Sequence, residues 1–233
     1  MKYIRILSGL LLVAAILACS LPPNFPSIPP GWTLTPSISP TPEATITPTI
    51  TPTPLPVARV SAGDDSFFNG DYENALIHYQ IAFQDSPDPA VRASAKWSEA
   101  RLQFAQQSYN DTLIALQILI TEYPDSAHFG QAYFLQGLTY YRLENYQAAA
   151  DSWQTYLSLR PAYLDAYTQE LRGDALFSAE NYAEALPAYT AAIQAPSLGN
   201  DITLDLKVAS TQTELGNYET ALALYDGIAA RAP

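Results

Sequence analysis

The chain has 233 residues, 11 basic against 23 acidic, a formal net charge of −12, 19 prolines, 16 tyrosines and one cysteine. One cysteine cannot form an internal disulfide, and with two histidines it cannot complete a Cys/His zinc site of the usual four-ligand kind. The acidic balance argues against nucleic acid as a partner, because affinity for a phosphate backbone needs clustered Lys and Arg.

The chain opens on an address. Lys2 and Arg5 precede an apolar run from Ile6 to Ala18, thirteen residues interrupted by Ser8 and Gly9, which then meets Cys19. A run this short falls below the roughly 20 residues that cross a hydrocarbon core. A positive start, an apolar middle and a small residue at the cut describe an export signal over 1–18. Ile16-Leu17-Ala18-Cys19 resembles the bacterial lipoprotein signal, with Leu17 where that pattern more often has a small residue. The resemblance implies cleavage before Cys19 and lipidation of its thiol, with each buried CH₂ contributing about 0.8 kcal/mol of membrane affinity. Its alternative is an ordinary export signal whose cysteine is incidental. Loss of Lys2 and Arg5 with the signal leaves 9 bases against 23 acids, a charge of −14. The expected location is extracytoplasmic, lipid-anchored to the cell membrane, or to the outer membrane in a two-membrane envelope.

Residues 19–56 form a Pro/Thr-rich linker. Twelve of the 19 prolines lie between Leu21 and Pro56, with Glu43 as the only charge in that stretch. Proline fixes φ and extends the residue before it, so the segment is expected to be a disordered, polyproline-II-rich arm. At about 3.1 Å per residue it would reach on the order of 100 Å. Its threonines are compatible with O-glycosylation.

From residue 57 a repeat sets in. Tyr72, Tyr109, Tyr146, Tyr182 and Tyr218 stand 37, 37, 36 and 36 residues apart, each preceded by Asp, Ser or Asn. Those side chains are expected to cap a helix that begins at each tyrosine, contributing about 1 kcal/mol each. Small residues recur at Gly63, Ala100, Gly137, Gly173 and Ala209, and again at Ala75, Thr112, Ala149, Ala185 and Ala221; Pro87, Pro124, Pro161, Ser197 and Pro233 close the units. Tyr79, Leu116, Trp153, Tyr189 and Tyr225 follow the second small residue by four positions, where a helix returns to the same face, and are expected to pack between hairpins. Pro187 is expected to kink its helix.

The small–aromatic–small–Pro cadence resembles tetratricopeptide repeats, each a helix hairpin. The resemblance covers 57–233 as five copies, about 57–89, 93–125, 130–162, 166–198 and 202–233. It implies an all-α fold, a right-handed superhelix (solenoid) of about five hairpins that bury one continuous core. It further implies that first helices line a concave groove. The groove candidates are then Trp97, Arg101 and Phe104; Phe134, Tyr141 and Arg142; and Tyr167, Glu170, Asp174 and Phe177. Aromatic groups beside charges suit an extended peptide or a sugar-rich polymer such as peptidoglycan. The competing reading of Phe104, Phe134 and Phe177 is that they fill gaps between repeats. The Lys/Asn pattern of repeats that hold terminal carboxylates has no counterpart at Val60/Asp64, Trp97/Arg101, Phe134/Leu138, Glu170/Asp174 or Leu206/Ser210.

No phosphate loop or nucleophile elbow occurs, and spacing gives His78 and His128 no nucleophile to serve. Asp64, Asp65, Asn69, Gly70 and Asp71 depart from calcium-loop spacing. No catalytic residue, metal or cofactor is therefore expected. The leading expectation is a membrane-anchored extracytoplasmic scaffold for protein–protein or cell-wall interactions, and the non-catalytic amino-terminal part of a longer protein. An alternative follows from Arg172-Gly173-Asp174-Ala175-Leu176-Phe177, which with the signal, linker and lengthened repeats resembles the amino-terminal superhelix of soluble lytic murein transglycosylases. That resemblance implies a peptidoglycan-cleaving domain beyond Pro233. A further alternative is an envelope-protein assembly lipoprotein, from the similarity of length and of Tyr-Pro-Asp-Ser turns.

Overall fold

The computed structural model describes residues 55–196 and 202–231. Cys19, the export signal, the linker up to residue 54, and the closing residues Ser197 and Pro233 lie outside them. The described residues form ten α-helices: α1 Pro56–Phe68, α2 Tyr72–Asp85, α3 Pro89–Ala105, α4 Tyr109–Glu122, α5 Phe129–Arg142, α6 Tyr146–Leu159, α7 Asp165–Ser178, α8 Tyr182–Gln194, α9 Ile202–Glu214 and α10 Tyr218–Ala229. They pair as five hairpins, and each hairpin packs on the next in chain order. First helices also meet directly, α1 with α3 and α3 with α5, which makes them the inner series of the stack.

Every ruler tyrosine is the first residue of a second helix, but the turns before them are not built as side-chain capping would build them. Only Asp71 accepts a hydrogen bond from a backbone N–H, that of Asn74; Ser108, Asn145, Asn181 and Asn217 make no such bond. The preceding helix does the work instead. Asp71, Ser108, Asn145, Asn181 and Asn217 donate their backbone N–H to the carbonyl five residues back, at Ser66, Gln103, Tyr140, Leu176 and Gln212, over 2.8–2.9 Å. The residue before each has positive φ: Gly70, Gln107, Glu144, Glu180 and Gly216. This is a Schellman closure, which satisfies the carbonyls at a helix end and reverses the chain in three residues. Glycine occupies the left-handed position freely in the first and last turns. The three between hold an L side chain there against a steric cost of about 1–2 kcal/mol.

An aromatic pair clasps four of these turns. Phe67, Phe104, Tyr141 and Phe177 lie five residues before a ruler tyrosine and pack on it with ring centroids 5.1–5.8 Å apart. Such pairs contribute about 0.5–1.5 kcal/mol beyond their buried area. Thr213 takes that place in the fifth hairpin.

Inside each hairpin, the small residue of the first helix faces the large residue sixteen positions later. A Cβ built on Gly63, Gly137 or Gly173 would stand well inside van der Waals distance of Tyr79, Trp153 or Tyr189. Ala100 is paired with the smaller Leu116. The large residues thus pack within a hairpin first, rather than between hairpins as the periodicity alone suggests. Tyr79, Leu116, Trp153 and Tyr189 are at most 2 % exposed, whereas Tyr225, opposite Ala209, is 38 % exposed. α8 runs unbroken through Pro187.

Gly137→Ala should therefore cost about 1–3 kcal/mol by overpacking, read as a lower thermal midpoint. Trp153→Leu added to it should recover part of that loss, because the pair becomes the Ala–Leu match found at 100 and 116. Losses that simply add would contradict the size-matching account.

Candidate functional site

The candidate groove residues lie on α3, α5 and α7, in the inner series. Trp97 is half-buried and stacks on His128 at the entrance to α5, with centroids 5.6 Å apart and planes 12° off parallel. His128 also places Nδ1 2.8 Å from Gln131 Oε1 and Nε2 3.4 Å from Ser94 Oγ. Beside it, the turns around Asp88–Ala90 and Glu122–His128 enclose a cleft of about 430 Å³. Arg101 is exposed, with its guanidinium 5.8 Å from the centre of the Phe67 ring.

Phe104, Tyr141 and Phe177 are the first-helix members of the aromatic clasps, half-buried against Tyr109, Tyr146 and Tyr182. Tyr141 also rests 6.0 Å from Trp153. Phe134 joins adjacent hairpins, with Tyr156 at 5.2 Å and Tyr167 at 6.3 Å. Tyr167 itself is 51 % exposed, and Arg142 is exposed.

Glu170 and Asp174 are held from the next hairpin. Lys207 of α9 reaches Glu170 Oε1 at 2.6 Å and Asp174 at 2.8 Å, and Asp174 Oδ1 also accepts from the Tyr189 hydroxyl at 2.9 Å. Burial disfavours the Lys207 ammonium, but its two carboxylate partners outweigh that and raise its pKa. The first hairpin repeats the pattern: Asp64 Oδ1 accepts from Tyr79 Oη at 2.8 Å and from Ser98 Oγ at 3.1 Å. Burial first, then the neighbouring carboxylate, pushes both tyrosine hydroxyls far above their ordinary value. A small cleft of about 190 Å³ lies among Asp174, Phe177, Tyr189, Lys207 and Ser210.

Sequence reasoning places Glu170 and Asp174 in the groove but misses their partner Lys207. The repeated Gly-Asp…Tyr spacing of Gly63-Asp64/Tyr79 and Gly173-Asp174/Tyr189 marks the aspartate–tyrosine pair, but nothing in it marks the lysine. The phrase from Arg172 to Phe177 is largely taken up by packing: Gly173 under Tyr189, Asp174 on Lys207, Ala175 and Leu176 wholly buried, Phe177 on Tyr182. Asp64 and Asp71 are likewise committed to hydrogen bonds. Among the described residues no cluster of His, Cys, Asp or Glu is arranged to hold a metal ion.

The phenols at Tyr79 and Tyr189 have folded pKa values above their unfolded ones, so their contribution to stability is full below the unfolded value and lost as pH rises past it. Thermal midpoints followed by circular dichroism should hold level up to about pH 9 and fall above about pH 10. Tyr79→Phe and Tyr189→Phe together should flatten that fall; an unchanged alkaline slope would contradict the assignment.

Residues 134–200 match the family model described as tetratricopeptide repeat. No curated protein matches the sequence. Among solved structures, "MamA 41-end from Desulfovibrio magneticus RS-1" superposes with a TM-score of 0.60 at 15 % identity, covering 75 % of this chain and 93 % of that one. A second, "Crystal structure of MamA protein", gives 0.62 at 18 %, covering 74 % and 89 %. At such identity the likeness shows the fold: an all-α solenoid of tetratricopeptide type, with a tetratricopeptide-repeat match at its centre.

Proposed function

We propose that the chain is a membrane-tethered, extracytoplasmic scaffold that holds an extended, carboxylate-bearing protein partner along its inner helices. One observation carries this reading. In a chain of net charge −12, Arg101 and Arg142 are exposed on inner helices and have no carboxylate partner among the described residues, while Glu170 and Asp174 on α7 share Lys207 as their partner. Paired acids offer little to a ligand, whereas an exposed guanidinium can clamp a carboxylate through two parallel hydrogen bonds. Tyr167 adds an exposed ring for apolar contact. The lipid anchor rests on the sequence around Cys19, and the cell-wall and transglycosylase readings rest on family resemblance.

Two measurements test the proposal. Cys19→Ala should move the protein from the membrane to the soluble fraction; unchanged sedimentation would rule out the lipid anchor. Arg101→Glu combined with Arg142→Glu should abolish partner capture in cross-linking of intact cells while leaving the melting curve in place. Equal capture by the variant would remove the groove from the account.

A further inference from the structure

Among the described residues, positive φ outside the repeated hairpin turns occurs at two positions, Ala162 at 63° and Leu164 at 62°, both in the junction between α6 and α7. The left-handed region crowds an L side chain, and residues stay there only where their surroundings hold them. Three bonds hold this backbone. Tyr156 Oη donates to the Tyr163 carbonyl at 3.3 Å, the Ala162 N–H to Asp165 Oδ2 at 2.8 Å, and Arg160 Nη2 to the Ala127 carbonyl of the preceding junction at 2.9 Å. The large side chains are left outside: Tyr163 is 64 % and Leu164 55 % exposed, and Tyr167, one helical turn beyond Leu164, is 51 % exposed. At the junctions after α2 and α4 the exposed residues are Pro87 and Asp88, and Pro124, Asp125 and Ala127. Adjoining exposed apolar side chains of this size mark a surface that another molecule covers.

The patch is continuous with the inner groove. Leu164 holds the position at the start of α7 that His128 holds at the start of α5, and Tyr167 lies 6.3 Å from Phe134. Phe134 and Arg142 stand eight residues apart on α5, about 12 Å along its axis, a distance that an extended peptide covers in about four residues. The carboxylates on α7 each have a partner, Asp165 in the Ala162 N–H and Glu170 and Asp174 in Lys207. The exposed Arg142 guanidinium is thus open to a carboxylate from outside, at a fixed distance from the apolar patch.

We propose that Tyr163, Leu164 and Tyr167 form a subsite for one large apolar side chain of the partner, Leu, Phe or Trp, carried about four residues from the carboxylate that Arg142 clamps. The subsite rests on the groove reading and adds to it the spacing of the partner's residues. The probe is a displayed library of random peptides, about 12 residues long, selected on the full chain; that length covers the spacing with room on either side. Enrichment of Glu or Asp with Leu, Phe or Trp about four positions away is expected. Against Tyr163→Ser with Leu164→Asn the apolar preference should vanish and the acidic one remain, asparagine being a residue that accepts the left-handed backbone. Against Arg142→Glu the acidic preference should vanish. In a selected peptide, replacing the apolar residue by Ser should weaken binding to the unaltered chain about tenfold by fluorescence anisotropy, and binding to the Tyr163/Leu164 variant hardly at all. Acidic residues enriched with no apolar preference, or losses in peptide and protein that simply add, would overturn the subsite and leave the groove standing. A selection that enriches no acidic residue would overturn the groove reading and the subsite with it.

Discussion

The array depends on a size match repeated along the chain: a first-helix residue with little or no side chain against a second-helix residue that needs the space. Gly137 leaves room for Trp153, whose indole N–H donates to the Phe134 carbonyl at 3.2 Å, so the ring is buried without an orphaned donor. Gly63 and Gly173 do the same for tyrosines whose hydroxyls find Asp64 and Asp174. Volume and polarity are thus settled within one hairpin before any neighbour is added. Where the match changes to Ala209 and Tyr225, the aromatic ring is left partly in solvent.

That constraint decides how much of the inner face remains for a partner. Phe104, Tyr141 and Phe177 close their own turns, Phe134 ties the third hairpin to the fourth, and Glu170 and Asp174 bind the fourth to the fifth through Lys207. What stays available is a sparse set of groups, Arg101, Arg142 and Tyr167, set on a framework held by the others. On the proposed reading, recognition runs through these few charges and rings at fixed spacing.

The helix pattern was legible because spacing records it: the ruler tyrosines start the second helices, and the small residues mark where backbones meet. The turns were misread because Asp, Ser and Asn before a helix suggest side-chain capping, whereas the stabilising bonds run through the backbone from a left-handed residue. At Gln107, Glu144 and Glu180 no glycine signals that conformation. The Lys207 pairings join residues 33 and 37 positions apart, and the base has no counterpart at its position in the other repeats, so periodicity cannot announce it. The stack of Trp97 on His128 was equally hidden, since His128 stands at a junction whose length varies.

Those junctions have a mechanical consequence. Within hairpins every connection is three residues long and closed by the same backbone bond, but between hairpins the connections run to three residues after α2, six after α4 and five after α6. The hairpins therefore act as stiff links of one pattern, and the joints between them differ in slack. A load on the array would bend it between hairpins before it bent a hairpin itself. Trp97 with His128 and Phe134 with Tyr167 pack across the joints after α4 and α6, so each of these longer connections is braced by an aromatic contact.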